Sequence, residues 1–323
     1  MICNVYTQRK DRIFQPVVEE GVTWELERKG VPGKLTFKVL KDNIIDIHEG
    51  DPVMMSVDGV QCFYGFVFVK KRDKDGIITI TAYDQLRYLK NKLTFQYKGK
   101  KASEVVKMLA EDVSLQCGEI EDTGFVIEQK EELNKTFFDI IQNALDLTVQ
   151  NTGEMFVLYD DYGKLTLKNI ASMKLPILID AETGENFDYT TSIDGETYNQ
   201  VMLYYENKET GERKWYEAKD TDHINKWGVL RHMESIDEKT NGQAKADALL
   251  KLHDQKMRNL TVKGCFGNIG VRGGTMVIVS LDLGDIIANQ WLMVEKVKHT
   301  FKNNEHTMDL TLRGGHEGGD FVV

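Results

Sequence analysis

The amino-acid sequence predicts an α+β protein that is mainly β, with two related antiparallel β-barrels and a small helix-helix-hairpin domain between them. One observation behind this prediction is a pattern of residues in the first quarter of the chain that recurs in the last fifth. The other is periodicity: both of these regions alternate apolar and polar residues as strands do, whereas the middle repeats its apolar residues at helical spacing.

The repeat consists of several matches that occur in the same order in both copies. Residues 35–38 (Leu-Thr-Phe-Lys) resemble residues 260–263 (Leu-Thr-Val-Lys). The next matches share residue type and spacing: Gly50, Val53, Ser56 and Asp58 with Gly274, Val277, Ser280 and Asp282. Later matches pair residues 63–64 with 291–292, 69–70 with 297–298 and 80–81 with 310–311. Chance similarity is the alternative, because residues 165–168 form a similar tetrapeptide alone, but the shared order favours duplication.

The first β-domain is expected over residues 1–92. Strand patterns cover residues 22–26, 35–39, 53–57, 63–69 and 79–82. Turn signals separate some of them, at Asp58-Gly59 and at Asp75-Gly76. Residues 83–89 are expected to leave the domain as a short helical segment.

The middle domain is expected over residues 93–187. Ser103 is the predicted N-cap of a first helix, whose apolar face carries Val105, Val106, Leu109 and Val113. Thr136 with Asp139 resembles a capping box for a second helix. The apolar face of that helix comprises Phe137, Ile140, Ile141, Ala144 and Leu145. A hairpin of residues 155–159 and 165–167 follows.

The second β-domain is expected over residues 188–323. Candidate strands cover residues 201–205, 213–218 and 229–234, and the second copy of the repeat runs from 260 to 312. An inserted helix near 241–257, capped by Thr240 or Asn241, interrupts these strands. The glycine-rich residues 314–319 are expected to form a loose tail.

Composition excludes several classes of protein. The formal net charge of −10 argues against nucleic-acid recognition and against anionic membranes as main partners. No apolar stretch is long enough for a membrane span, and the first twenty residues lack the pattern of a secretory signal. The four cysteines, Cys3, Cys62, Cys117 and Cys265, are scattered singly, which favours free and buried thiols.

No catalytic, cofactor-binding or metal-binding residues are predicted, and no cofactor is expected. The seven histidines form no metal-ligand motif: His48, His223, His232, His253, His299, His306 and His316. The glycine-rich residues 264–274 lack the Lys-Ser/Thr of a phosphate loop and are expected to form a flexible connection between strands. Three carboxylate pairs are explained by turns or solvated faces: Asp160 with Asp161, Asp220 with Asp222, and Asp282 with Asp285.

Residues 21–91 carry a family resemblance. The matching segments are Gly21 to Glu25, Arg28 to Phe37, Glu49 to Asp51 with Val53, Gly65, and Thr79 to Asn91. They resemble the XkdQ-type proteins of PBSX-like defective prophages. These proteins belong with the baseplate hubs of contractile tails, which are related to late control protein D and to the hub part of type VI secretion spikes. The resemblance extends over most of the chain and is less specific after about residue 190.

The resemblance implies a structural baseplate hub, without enzymatic activity, in a phage virion or a tail-like bacteriocin particle assembled in the host cytoplasm. Hubs of this family are homotrimers in which each subunit supplies two tube-like barrels, so that six barrels meet a sixfold tail tube. The implied partners are therefore the tail tube protein, a threefold central spike protein, the tape-measure protein, and baseplate wedge or LysM-type adapter proteins. A lysozyme-like or peptidase motif does not follow the second copy.

Two other functions stay open at this stage. A peptidoglycan-active tail enzyme would need a convergent pair of acids or a metal site in the middle domain. A carbohydrate-binding tail module could use Trp215, Tyr216 and Trp227 as an aromatic platform.

Overall fold

The computed structural model describes residues 1–40, 47–195, 197–207, 210–238, 240–284 and 287–313. Most of these residues are in strands, and helices are few, so the predicted class of α+β and mainly β is confirmed. Asp285, His316 and the predicted tail at 314–319 lie outside the described residues.

The first copy of the repeat consists of seven strands: β1 (Cys3–Arg9), β2 (Arg12–Phe14), β3 (Val18–Glu27), β4 (Lys34–Leu40), β5 (Pro52–Val57), β6 (Val60–Arg72) and β7 (Ile77–Asp84). The five strands predicted here lie within β3 to β7. Asp58 and Gly59 form the β5–β6 turn with positive φ angles of 48° and 82°, as their residue types indicate. A 3₁₀ turn, Gln85–Lys90, replaces the predicted helical exit, because β7 continues to Asp84.

The middle region contains two helices and five strands: β8 (Lys92–Lys101), α1 (Ala102–Asp112), β9 (Cys117–Ile120), β10 (Val126–Thr136), α2 (Phe137–Thr152), β11 (Phe156–Asp160) and β12 (Leu165–Asn169). Thr136 and Asp139 form the predicted capping box of α2. The N-cap of α1 is Lys101 and not Ser103, because Ser103 is buried as the second residue of the helix and bonds Thr123. The predicted hairpin is β11–β12, whereas the β8·β10 pair was not predicted.

The chain then passes through two further sheet strands and an inserted segment. The two strands are β13 (Lys174–Asp180) and β14 (Asn186–Ser192). The insertion contains β15 (Gln200–Glu206), β16 (Arg213–Lys219), α3 (Thr221–Trp227), β17 (Arg231–Ser235) and α4 (Gly242–His253). Helix α4 is the predicted inserted helix, and its N-cap is Asn241. Its neighbours β15, β16 and β17 form a sheet of their own.

The second copy follows as β18 (Met257–Phe266), β19 (Met276–Asp282), β20 (Ile287–Lys302) and β21 (Glu305–Arg313). Its strand order, β14-β18-β21-β20-β19-β13, corresponds strand for strand to the order β3-β4-β7-β6-β5-β1 of the first copy. The two copies differ in one strand pair: β1 pairs antiparallel with β5, whereas β13 pairs parallel with β19. The shared order supports the duplication inferred from the repeat.

Matched residues of the two copies have the same structural roles. Gly50 and Gly274 precede β5 and β19 with φ angles of 88° and 91°, a conformation that favours glycine. Val53 and Val277 are both completely buried. By contrast, the stray tetrapeptide at 165–168 lies in β12, which belongs to a different three-stranded sheet. The collinear matches, and not the single tetrapeptide, therefore mark the duplication.

The chain forms two compact units. One comprises residues 1–188 with 260–313, and the other has residues 189–259 as its described part. The first unit contains the first copy, the middle region and most of the second copy. The second contains the inserted sheet and α4, with a small core of Val201, Leu203, Ala218, Ile236 and Ala246. The division into three domains at residues 92 and 187 remains a proposal about how the chain is organised.

Candidate functional site

The two copies are joined edge to edge by β3 and β20. These strands pair antiparallel, with Trp24 opposite His299. Arg28 lies just past β3 and reinforces the pair, because its backbone N–H donates to the Glu295 carbonyl and its Nε to Glu295 Oε2, both at 2.8 Å. Lys296 Nζ lies 2.8 Å from Glu27 Oε1. Because main-chain hydrogen bonds run across the join, both copies belong to one continuous sheet.

A buried stack of rings lies at this join. Trp24 stacks on His299, with ring centroids 4.9 Å apart, and Phe301 stacks on His306 at 4.4 Å. His299 is completely buried; its Nε2 lies 3.0 Å from the carbonyl of Val271, and its Nδ1 lies 2.9 Å from His306 Nε2. A carbonyl can only accept, so we assign the proton of His299 to Nε2, and Nδ1 accepts from His306.

Both imidazoles of the stack are held neutral. Burial, together with a smaller effect of the neighbouring His306, lowers the pKa of His299 to about 3. Burial alone lowers the pKa of His306 to about 4. The pair therefore makes a hydrogen-bonded connection that is uncharged at neutral pH, and it is not arranged to exchange protons with solvent.

The glycine-rich residues 264–274 pack against this stack. Gly267 donates its N–H to the His306 carbonyl at 2.8 Å, and a Cβ at Gly267 would overlap the His306 ring. A Cβ at Gly273 would overlap the backbone of Arg28. Residues 264–266 end β18, and residues 267–274 connect it to β19 as predicted, but the connection is tightly packed rather than flexible. Its glycines permit close approach of backbone to neighbouring groups, which is a packing role and not anion binding.

Two buried carboxyl groups lie beside the join. Asp84, at the end of β7, is completely buried and accepts hydrogen bonds from Gly33 N at 2.9 Å and Leu86 N at 3.1 Å. Asp160, at the end of β11, accepts from Gly163 N at 2.8 Å, while its Oδ2 is buried without a partner. Burial raises the pKa of both groups, that of Asp160 to about 7, and the nearby Asp160 charge raises the pKa of Asp84 further.

Arg272 connects the glycine-rich segment to the same place. Its Nη1 donates to the Asp160 carbonyl at 3.1 Å, and its guanidinium lies 4.3 Å from the centre of the Tyr159 ring. The first copy, the middle hairpin and the second copy therefore meet at Asp84, Asp160 and Arg272. This arrangement can hold three segments in a fixed relation, but Asp84 is too deeply buried to meet a substrate.

One end of the continuous sheet is apolar, and no strand of the described residues pairs with it there. The strand order ends at β2, where Ile13 is 62% exposed, and Val17 just beyond it is 79% exposed. Ile2, before β1, is 64% exposed. An unpaired strand with exposed apolar side chains is suited to pairing with another chain.

The described members of the three carboxylate pairs have separate local roles. Asp160 is largely buried, but its neighbour Asp161 is exposed. Asp220 caps α3 by accepting from the backbone N–H of His223. Asp282 accepts from Gly284 N. These are the turn and cap roles that were expected. In addition, Asp160 approaches Asp84, a residue that the sequence analysis did not single out.

The proposed aromatic platform is divided. Trp215 is 46% exposed and lies 5.1 Å from the Tyr204 ring, measured between centroids. Tyr216 is the next residue on the same strand, points to the opposite face and packs against Gly242 of α4. Trp227 stacks on His223 in α3. The three aromatic rings therefore do not share one flat surface.

Two histidine contacts were not predicted. His299 and His306 flank the β20–β21 turn, where Asn303 and Asn304 have positive φ angles. An Asn-Asn turn between two alternating segments is the sequence signal that could have brought these rings together. The second contact places His223 beside Asp220 and Asp254. Asp254 lies 31 residues after His223 in the sequence.

The remaining sequence expectations concern thiols and membranes. All four cysteines are free, and Cys265 is buried, but Cys117 is exposed rather than buried. In the described residues, the helices are all too short or too polar to cross a membrane.

Comparison with known proteins agrees with this architecture. A family model described as YqbQ-like matches residues 22–313. The chain is 30% identical over 315 residues to the protein YqbQ of Bacillus subtilis (strain 168), which covers 93% of this chain and 94% of that relative. It is 29% identical, with the same coverage, to the phage-like element PBSX protein XkdQ of the same organism.

Solved structures share the fold at low sequence identity. The 43 kDa tail protein of prophage MuSo2 from Shewanella oneidensis has a TM-score of 0.69 and 12% identity, covering 96% of this chain and 98% of that one. The prophage tail protein gp18 from Listeria monocytogenes EGD-e has a TM-score of 0.61 and 12% identity, covering 98% and 95%. With a family model matching nearly the whole described chain and a relative 30% identical along its length, this protein belongs to the YqbQ-like family.

Proposed function

We propose that this protein is a structural, non-enzymatic component of a phage tail or tail-like particle, specifically its baseplate hub. The observation that carries the proposal is the pair of β-copies with equivalent strand order, joined into one sheet. Two findings on related proteins support it: a curated relative is named as a phage-like element protein, and proteins of similar fold are described as phage tail proteins.

The duplicated copies suit a symmetry adapter. Three chains with two like copies each would present six similar surfaces to a sixfold tail tube, while the trimer itself would match a threefold spike. The proposed partners are therefore the tail tube protein, the central spike protein, the tape-measure protein and wedge or LysM-type adapter proteins. Assembly would take place in the host cytoplasm before the particle is complete.

The join between the two copies would keep their relative orientation constant in such a ring. A sixfold surface built from three chains requires a constant angle between the two copies of each chain. The β3·β20 hydrogen bonds, the buried ring stack and the Asp84–Asp160–Arg272 junction all restrict motion at the join. We infer that the closed ring is a homotrimer whose chains meet along strand edges, including the exposed β2 edge.

The test is the native mass of the purified assembly. We expect three times the chain mass of 37.0 kDa. A protein that stays monomeric at every concentration, and also inside assembled particles, would contradict the homotrimer. Immunogold labelling of particles should place the protein at the baseplate, and labelling restricted to any other structure would contradict the hub assignment.

A further inference from the structure

The inserted unit of residues 189–259 brings two carboxylates and an imidazole together. Asp220, His223 and Asp254 each offer one ligand atom, and these atoms all lie within 4.8 Å of one another. Asp220 precedes α3, His223 lies within it, and Asp254 follows α4. The three residues therefore come from two elements that β17 separates in the sequence.

The three side chains are held in place by the surrounding structure. His223 Nδ1 lies 2.8 Å from Asp254 Oδ1, and the ring stacks on Trp227 with centroids 4.0 Å apart and planes at 16°. Asp220 accepts a hydrogen bond from the backbone N–H of His223 at 2.9 Å. Ligands that are oriented before a metal arrives lose little freedom on binding.

The cluster holds more carboxylate than its single imidazole can balance. The Asp254 side chain is only 8% exposed, and its charged neighbours include both His223 and the second carboxylate, Asp220. A divalent cation can accept lone pairs from both carboxylates and from the imidazole, and its charge offsets the repulsion between the two acids.

We propose that Asp220, His223 and Asp254 form a binding site for a first-row divalent cation, with Zn²⁺ as the preferred ion. Zinc binds imidazole nitrogen and carboxylate oxygen at roughly 2.0–2.2 Å, and a tetrahedral arrangement therefore places pairs of ligand atoms about 3.3–3.6 Å apart. The ligand atoms of this cluster, which all lie within 4.8 Å of one another, can reach that spacing through side-chain rotation. Calcium and magnesium prefer sites built entirely from oxygen, so they should bind more weakly here.

Such an ion would tie the start of α3 to the end of α4. In the described part of the first copy, β3 leads directly to β4 without such a unit, so the site belongs to what distinguishes the second copy from the first. Three protein ligands leave the rest of the coordination sphere for water or for a group of another molecule.

The experiment is isothermal titration of the full chain, freed of metal by a chelator, with ZnCl₂ and separately with MnCl₂. Manganese is included because it has little affinity for thiols, whereas zinc could also bind the free cysteines. We expect saturable binding of one ion per chain at this site. Asp254→Asn and His223→Gln should each weaken it at least tenfold, and zinc should raise the Tm of the wild type but not of these variants.

His232→Gln is the matched control. His232 also lies near a carboxylate, with its Nε2 3.4 Å from Glu234 Oε2, but it is not part of the three-residue cluster. The His232→Gln variant should bind the metal ion with the same affinity as the wild type. Circular dichroism of each variant reports whether it has folded, and the second ligand variant keeps the test valid if one fails to fold. Equal affinity in the wild type and a folded ligand variant, or the absence of saturable binding in the wild type, would overturn the proposal.

Discussion

His306 shows how burial makes a side chain sensitive to acid. Its pKa is about 4 in the folded protein, below the value of about 6.5 in an unfolded chain. The neutral stack therefore contributes stability that is complete above pH 6.5 and is lost as the pH falls towards 4. His306→Gln should remove about 1–2 kcal/mol of this acid dependence, a value reduced for the partial exposure of the ring.

The measurement is urea unfolding of the wild type and His306→Gln between pH 7.5 and 4.5. The free energy of unfolding should fall less steeply with acid in the variant. His232→Gln serves as a control in the other unit: it removes a half-buried imidazole beside the exposed Glu234 and should change the slope much less than His306→Gln does. Parallel curves for the wild type and His306→Gln would show that the stack is not the acid-sensitive element.

Asp160 should have the opposite pH dependence. Burial raises its folded pKa to about 7, so its contribution to stability is complete below about pH 4 and is lost as the pH rises through 7. Asp160→Asn removes the buried charge while retaining an oxygen that can accept from Gly163. The variant should be more stable than the wild type by about 1–3 kcal/mol at pH 8, with a smaller difference at pH 5.

Unfolding of Asp160→Asn at the two pH values tests this expectation. Asp161→Asn is the matched control, because Asp161 is exposed in the same turn and should change stability little at either pH. If Asp160→Asn destabilises more at pH 8 than at pH 5, the carboxylate is instead stabilised as an anion by Arg272.

At the scale of the element, two glycine substitutions test whether the glycine-rich segment has a packing role or only provides flexibility. Gly267→Ala places a methyl group against the His306 ring and should destabilise the protein by about 2–4 kcal/mol, since this part of the core cannot expand without strain. Gly270→Ala is the control, because its nearest neighbour is the Asn268 side chain at 3.1 Å and its φ is not positive. Equal Tm values for the two variants would contradict the packing role.

Helices and strands with strong local signals could be predicted from the sequence. Thr136 and Asp139 specify the start of α2 through contacts three residues apart, and the five apolar residues of its buried face follow the helical period. The N-cap at Lys101 could not be predicted in this way, because Ser103 is a good cap by type but is occupied by Thr123, which lies 20 residues further along. Distant partners override local preference.

At the scale of the whole molecule, assembly should depend on the exposed β2 edge. Ile13→Lys puts a charge on this edge without removing a buried contact, so it should shift the assembly from trimer towards monomer while leaving the Tm of the monomer nearly unchanged. Light scattering across a concentration series measures the shift. Val229→Lys is the control, since Val229 is 54% exposed and lies in the inserted unit.

An unchanged trimer in Ile13→Lys would place the interface elsewhere. Loss of trimer in both variants would show that added charge, and not the β2 edge, disrupts assembly. The two results are distinguishable because each variant is compared with the wild type at the same concentration and ionic strength.

By itself, the sequence determined the mainly β class, the duplication and the cap of α2, and it narrowed the cap of α4 to Thr240 or Asn241. All of these depend on residue type and spacing along the chain. Only the tertiary structure decided that both copies share one sheet, that Asp84 meets Asp160, and that Asp254 approaches His223. Each of these contacts joins residues separated by tens to hundreds of positions, and neither strand periodicity nor residue type specifies which edges pair. The repeat predicted two copies, but the β3·β20 hydrogen bonds set the relation between them.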